Sequence, residues 1–202
     1  MVEQIKGERA SKLRVLVVDH NQERATIVER ALEETGDCTV ERAAGARHLP
    51  ELLRVTNPDV LIVDLDLPDR DTIEQLRVAT REVPRPIVMF VDESDAETMR
   101  AAIGAGVSAY VVDGLQAKRV RPVLEMAIAR FQDYEALRRE VEFAKASLAE
   151  RKLIDRAKGI LMGAKSLSED DAYALLRRTA MKEQKKISEI AQSIVMAADL
   201  LK

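Results

Sequence analysis

Three aspartates offer the first chemistry in this sequence: Asp19, which closes the apolar run Leu13–Val18, and Asp64 and Asp66, which follow the apolar run from Val60. A carboxylate at the carboxyl end of a buried strand sits at the mouth of a crevice, where open α/β sheets bind their ligands. Leu65, Asp66, Leu67 and Pro68 turn the chain directly after Asp64, so its carboxylate could be made into an acyl phosphate. If the strands of Asp19 and Asp64 are neighbours, the two carboxylates could share a hard divalent cation such as Mg2+, which would also neutralise a phosphoryl group. A second chemistry is electrostatic. Residues 151–202 hold 11 Lys/Arg against 7 Asp/Glu, whereas the remainder is acidic within a net charge of −3. Lys158, Arg177, Arg178, Lys182, Lys185 and Lys186 make a local positive field suited to a polyanion, and Arg178 and Lys182, four apart, share one helix face. Tyr173, the only aromatic of this segment, is placed either to stack on a nucleobase or to pack between helices. Enzymatic chemistry finds no support: there is no nucleophile–base–acid set, no glycine-rich phosphate loop and no metal-ligand cluster beyond His20, His48 and the lone Cys38.

Positioning the aspartates requires a sheet. Leu13–Val18, Cys38–Ala43, Val60–Asp64, Ile87–Val91 and Ser108–Val112 read as strands, and Val60–Val63 is apolar throughout, as expected when both sheet faces are covered. Amphipathic stretches Gln22–Thr35, Ala46–Val55, Asp71–Thr80 and Asp95–Ala105 alternate with them, the first ended by Gly36. The pattern predicts an α/β domain at residues 13–130 with a doubly wound, five-stranded parallel sheet, after a disordered N-terminal segment at residues 1–12. A long helix is expected from near Leu115. Val120, Leu124, Ala127, Phe131, Tyr134, Leu137, Val141, Ala144 and Leu148 follow a coiled-coil spacing with one register break, giving a linker helix at residues 120–150. Ala127, Phe131, Tyr134, Leu137, Val141 and Leu148 are its candidate dimerisation residues.

Three short helices are expected in residues 151–202. The first runs from Arg151 to about Gly163, and the second opens at Ser168, a cap residue followed by Glu169, Asp170 and Asp171, which favour the positive end of a helix dipole. The second helix should bury Ala172, Leu175, Leu176 and Thr179. The third should bury Ile187, Ile190, Ala191, Ile194, Val195, Ala198 and Leu201. Gly159 and Gly163 are expected at close-packing and helix-ending positions. No stretch approaches the ~18 apolar residues of a membrane helix, and the charged Met1–Lys12 with a single Cys38 points to a cytoplasmic protein without a membrane partner.

Residues 13–130 resemble a response-regulator receiver domain, through Val17-Val18-Asp19 and Asp64-Leu65-Asp66-Leu67-Pro68. The resemblance implies that Asp64 is the phospho-acceptor and that Asp19 belongs to an acidic metal-binding pair. Three positions depart from the pattern: His20 replaces the second acid, Val91 the hydroxyl residue at the end of strand four, and Asp113 the lysine after strand five. These departures weaken Mg2+ binding at Asp19 and Asp64 and favour a pseudo-receiver that docks proteins, unless Lys118 reaches back. Residues 151–201 resemble an ANTAR domain, through Ala157–Met162, Ser168-Glu169, Ala172-Tyr173, Leu176-Arg177, Ala180-Met181 and Ile190-Ala191. The order receiver, coiled coil, ANTAR is similar to the NasT-type regulators of nitrate assimilation. It implies an RNA-binding antiterminator that holds stem-loops of a leader mRNA and is controlled by a nitrate- or nitrite-sensing protein. A DNA-binding response regulator, with a helix-turn-helix output, and a pure interaction module are the alternatives left by the residues themselves.

Overall fold

The structure is a computed structural model that describes residues 12–34, 36–45, 48–66 and 68–200. The expected N-terminal segment at residues 1–12 falls, but for Lys12, outside the described residues, as does Leu201. Among the described residues twelve elements follow in the order β1 (Leu13–Asp19), α1 (Gln22–Glu33), β2 (Cys38–Ala43), α2 (Leu49–Thr56), β3 (Val60–Leu65), α3 (Arg70–Glu82), β4 (Ile87–Val91), α4 (Ala96–Gly104), β5 (Ala109–Val111), α5 (Ala117–Lys165), α6 (Glu169–Glu183) and α7 (Ile187–Leu200). The chain divides into two compact units, residues 1–135 and 136–202.

In the first unit all five strands are parallel, in the order β2-β1-β3-β4-β5. Alternate strand residues feed two cores. Val15, Val17, Ile62, Val88 and Phe90 point to the layer of α1 and the start of α5, whereas Leu16, Val18, Leu61, Val63, Met89 and Val91 meet α2, α3 and α4. Burial on both faces is the reason β3 carries no polar alternation until Asp64. Local caps set where the helices begin. Asn21 accepts hydrogen bonds from the Glu23 and Arg24 amides, Asp69 from Thr72, and Asp95 from Glu97 and Thr98, so three helices start next to the strand ends at the pocket. Cys38 opens β2 and is buried; burial, with Asp37 beside it, pushes its thiol up to about 11.

The 49-residue α5 is continuous and includes Pro122 near its start, where the ring removes one helical donor. Val120, Leu124, Ala127 and Ile128 lie in the first core. Ala127 is therefore corrected from a dimerisation residue to a residue of the sheet-covering layer. Phe131 is half-buried, while Tyr134, Leu137, Val141 and Leu148 are exposed.

In the second unit the end of α5 packs with α6 and α7 around Ala157, Leu161, Ala172, Leu176, Ala180, Ile190, Ala191 and Val195. Leu175, Thr179, Ile187, Ile194 and Ala198 are only partly buried, at the margin of their expected stripes. Ser168 caps α6 by accepting from the Asp171 amide at 3.1 Å. Gly159 and Gly163 need correcting. A Cβ at either would meet nothing within 4 Å, so neither is a close-packing site, and the helix passes Gly163 to end at Lys165.

Candidate functional sites

β1 and β3 are neighbours, and their register sets Asp19 directly against Asp64. The two carboxylates are buried, at 7% and 1% exposure, in a cleft of about 490 Å3 that Asp66 and His20 also line. Asp19 accepts from the Asn21 amide at 2.7 Å through one oxygen, while its Oδ2 is buried without a hydrogen-bond partner. His20 also lies beside the loop after β2. It covers Gly45, where an added Cβ would stand 2.5 Å from the imidazole Cε1.

The cation of the pocket is Arg24, a residue that sequence reasoning missed. Its guanidinium donates from Nε to Asp64 at 2.9 Å and from Nη2 to the other oxygen of Asp64, while Nη1 reaches Asp66 and Asp92, both at 2.9 Å. A two-pronged arginine–carboxylate pair of this kind fixes both orientation and charge. Asp92 lies beside the turn after β5. Asp113 and Gly114 both have positive φ, and a Cβ at Gly114 would come within 2.7 Å of the Asp92 carboxylate. Lys118 lies exposed on α5 and makes no ion pair among the described residues, so it does not reach back. Burial pushes Asp64 up to about 6, with Asp19 adding to the rise, against the pull of Arg24. Asp64 and Asp92 in turn hold Arg24 firmly protonated.

The basic residues of the second unit separate into two sets. Lys158 is engaged within the unit, bridging Asp155 and Glu169 at 2.7 Å each and so stapling α5 to α6. Lys185 pairs with Glu183 at 3.1 Å. Arg177, Arg178, Lys182 and Lys186 are exposed and enter no ion pair among the described residues. Tyr173, Arg177 and Met181 follow one another at four-residue intervals on the outer face of α6, with Arg178 and Lys182 beside them; Tyr173 is 44% exposed. Met181, 73% exposed, adds an apolar point to this face that charge counting could not have found.

The parallel sheet with an aspartate group at its carboxyl edge is the arrangement of a receiver domain, and residues 15–125 match the family model for the response regulator receiver domain. The chain belongs to that family. Residues 142–195 match the ANTAR domain, so it is a response regulator with an ANTAR output. Over nearly its full length the chain is similar to the transcriptional regulatory protein PdtaR of Mycobacterium tuberculosis, with 29% identity over 189 residues, 94% of this chain and 92% of that protein. A protein-glutamate methylesterase/protein-glutamine glutaminase of Dechloromonas aromatica is 34% identical over 94 residues, but these are 45% of this chain and 27% of the enzyme. Among solved structures, a CheY-like receiver domain protein from Methanospirillum hungatei superposes with a TM-score of 0.52 at 23% identity, covering 61% of this chain and 99% of its own. Chemotaxis protein CheY4 of Vibrio cholerae gives 0.51 at 22%, covering 58% and 99%. Both show the fold of the first unit.

Receiver membership implies a divalent cation at the acidic pocket, and the side chains as arranged do not fit one. Among the described residues no three His, Cys, Asp or Glu side chains are grouped to hold a metal. The carboxylate of Asp64 already carries a guanidinium, and His20 faces Gly45. Val91, at the hydroxyl position, is buried and apolar. Among the described residues no helix is long and apolar enough to cross a membrane.

Proposed function

We propose that this chain is an RNA-binding transcription antiterminator, in which α6 and the turn to α7 grip stem-loops of a leader mRNA and keep a terminator from forming. The observation that carries this reading is the outer face of α6, where Arg177, Arg178 and Lys182 stand exposed and unpaired among the described residues beside a half-exposed Tyr173. Phosphate contacts from such cations supply affinity and register, while specific RNA recognition falls on unstacked loop bases, which an exposed aromatic can stack. Lys186 extends the field. Lys185 and Lys158 take part only by exchanging their carboxylate partners for phosphates. The receiver is proposed to be the docking surface for a sensor protein, and no catalytic step is assigned to it. A nitrate- or nitrite-sensing partner is the finer proposal, supported only by the order receiver, coiled coil, ANTAR.

Two copies are proposed to associate through the exposed part of α5. Tyr134, Leu137, Val141 and Leu148 leave an apolar row on a surface otherwise rich in charge. The test of the RNA reading is a gel shift at physiological salt with a two-stem leader RNA and a DNA duplex of similar length. Preference for RNA, lost in Arg177→Ala/Arg178→Ala/Lys182→Ala with the fold intact, is the expected result. Preference for the duplex would move the reading to a DNA-binding regulator, and equal weak binding of both would leave an interaction module.

A further inference from the structure

Arg24 occupies an unusual place for a cation. It is the third residue of α1, whose N-terminus carries the positive end of the helix dipole, where a basic side chain is disfavoured. Three carboxylates offset that disfavour: Asp64 from β3, Asp66 just beyond it and Asp92 just beyond β4. The fork closes over both oxygens of Asp64, which has no exposed side-chain surface, and Arg24 is itself only 20% exposed. The third arm, Asp92, lies beside the turn at Asp113 and Gly114, where only a residue without a Cβ leaves its carboxylate free of a clash. The lysine position after β5 is Asp113, so the pocket would carry a large negative excess if Arg24 were elsewhere.

We propose that Arg24 is a built-in counter-cation that keeps the receiver pocket closed to divalent metal. With Arg24 in place, the pocket's charge is balanced by the protein itself, and an entering cation must first break a buried, two-pronged pair. A site whose competent form is populated ~1% of the time binds its ligand ~100-fold more weakly than the open site would. The residual acidic feature, the unpartnered Asp19 Oδ2, then remains a single oxygen rather than half of a metal site. This inference does not depend on the RNA reading of the second unit.

The probe is Mg2+ alone, titrated calorimetrically into the full chain at constant ionic strength. The wild-type protein should take up Mg2+ at least ~10-fold more weakly than Arg24→Ala, in which the carboxylates are released. Arg24→Lys, which keeps one charge but loses the fork, should fall between them. Equal Mg2+ affinity in the wild type and Arg24→Ala, whether both bind or neither does, would overturn the proposal. Because removal of the guanidinium can unfold the domain, a second measurement needs no variant. The Nε–H of Arg24, followed by nitrogen-15 NMR in metal-free buffer, should exchange much more slowly than those of the exposed arginines and stay unchanged as Mg2+ is added. Rapid exchange, or displacement of that signal by Mg2+, would equally overturn it.

Discussion

Asp64 concentrates the physics of the first unit in one carboxylate. Its folded pKa of about 6 exceeds the ~3.9 of an unfolded aspartate, so folding favours its protonated form. The stability this contributes is complete below about pH 4 and is lost as pH rises through about 6. Urea denaturation of wild type and Asp64→Asn at pH 7 and pH 5 should therefore show the wild type gaining on the variant at the lower pH, by on the order of 1 kcal/mol. A difference independent of pH would mean that Arg24 outweighs burial. At this scale, sequence reading could pair Asp19 with Asp64, because strand-end carboxylates in a parallel sheet converge by construction. It could not find Arg24. In the sequence Gln22-Glu23-Arg24 is an ordinary charged first turn, and only the cap at Asn21 and the register of β1 on β3 aim that arginine across the strand ends. One available signal was that a basic residue in a helix's first turn, five positions after a strand-end aspartate, wants an anion.

At the scale of elements, caps decide more than propensity. Ser168 satisfies an otherwise orphaned amide at the start of α6 and also donates to the Asp171 carboxylate at 2.6 Å. Ser168→Ala should lower the stability of the second unit by about 1 kcal/mol, with Ser168→Asp losing much less, as read from thermal unfolding followed by helical circular dichroism. Ser168 was legible as a cap for the same reason, and β4 ends where its apolar run ends, whereas Asn21, Asp69 and Asp95 went unread as caps, which left the expected starts of α3 and α4 a residue away from the observed ones. The long helix was harder. One periodic row of apolar residues serves two purposes along α5, covering the sheet at Val120, Leu124 and Ala127 and standing exposed from Tyr134 onward, and spacing alone does not mark the change. Gly159 and Gly163 misled because glycine in a helix suggests either crowding or termination, and here it does neither.

For the whole molecule, the exposed row on α5 bears on how many chains act together. Leu137→Glu with Leu148→Glu should convert a dimer to a monomer in sedimentation velocity while leaving each unit folded, since neither residue belongs to a core. Binding of RNA should weaken steeply with salt, each phosphate contact adding roughly 0.7–0.9 to the logarithmic slope, and the α6 triple-alanine variant should flatten it. A different readout is already built into the chain. Cys38 is its only sulfhydryl, sealed at the root of the edge strand β2 with its thiolate suppressed. Cys38 shares its core layer with α1 and the start of α5, so a chromogenic thiol reagent reacts there only when this packing opens, and the rate of colour development in native buffer is a clock for that transient opening, requiring no engineered label.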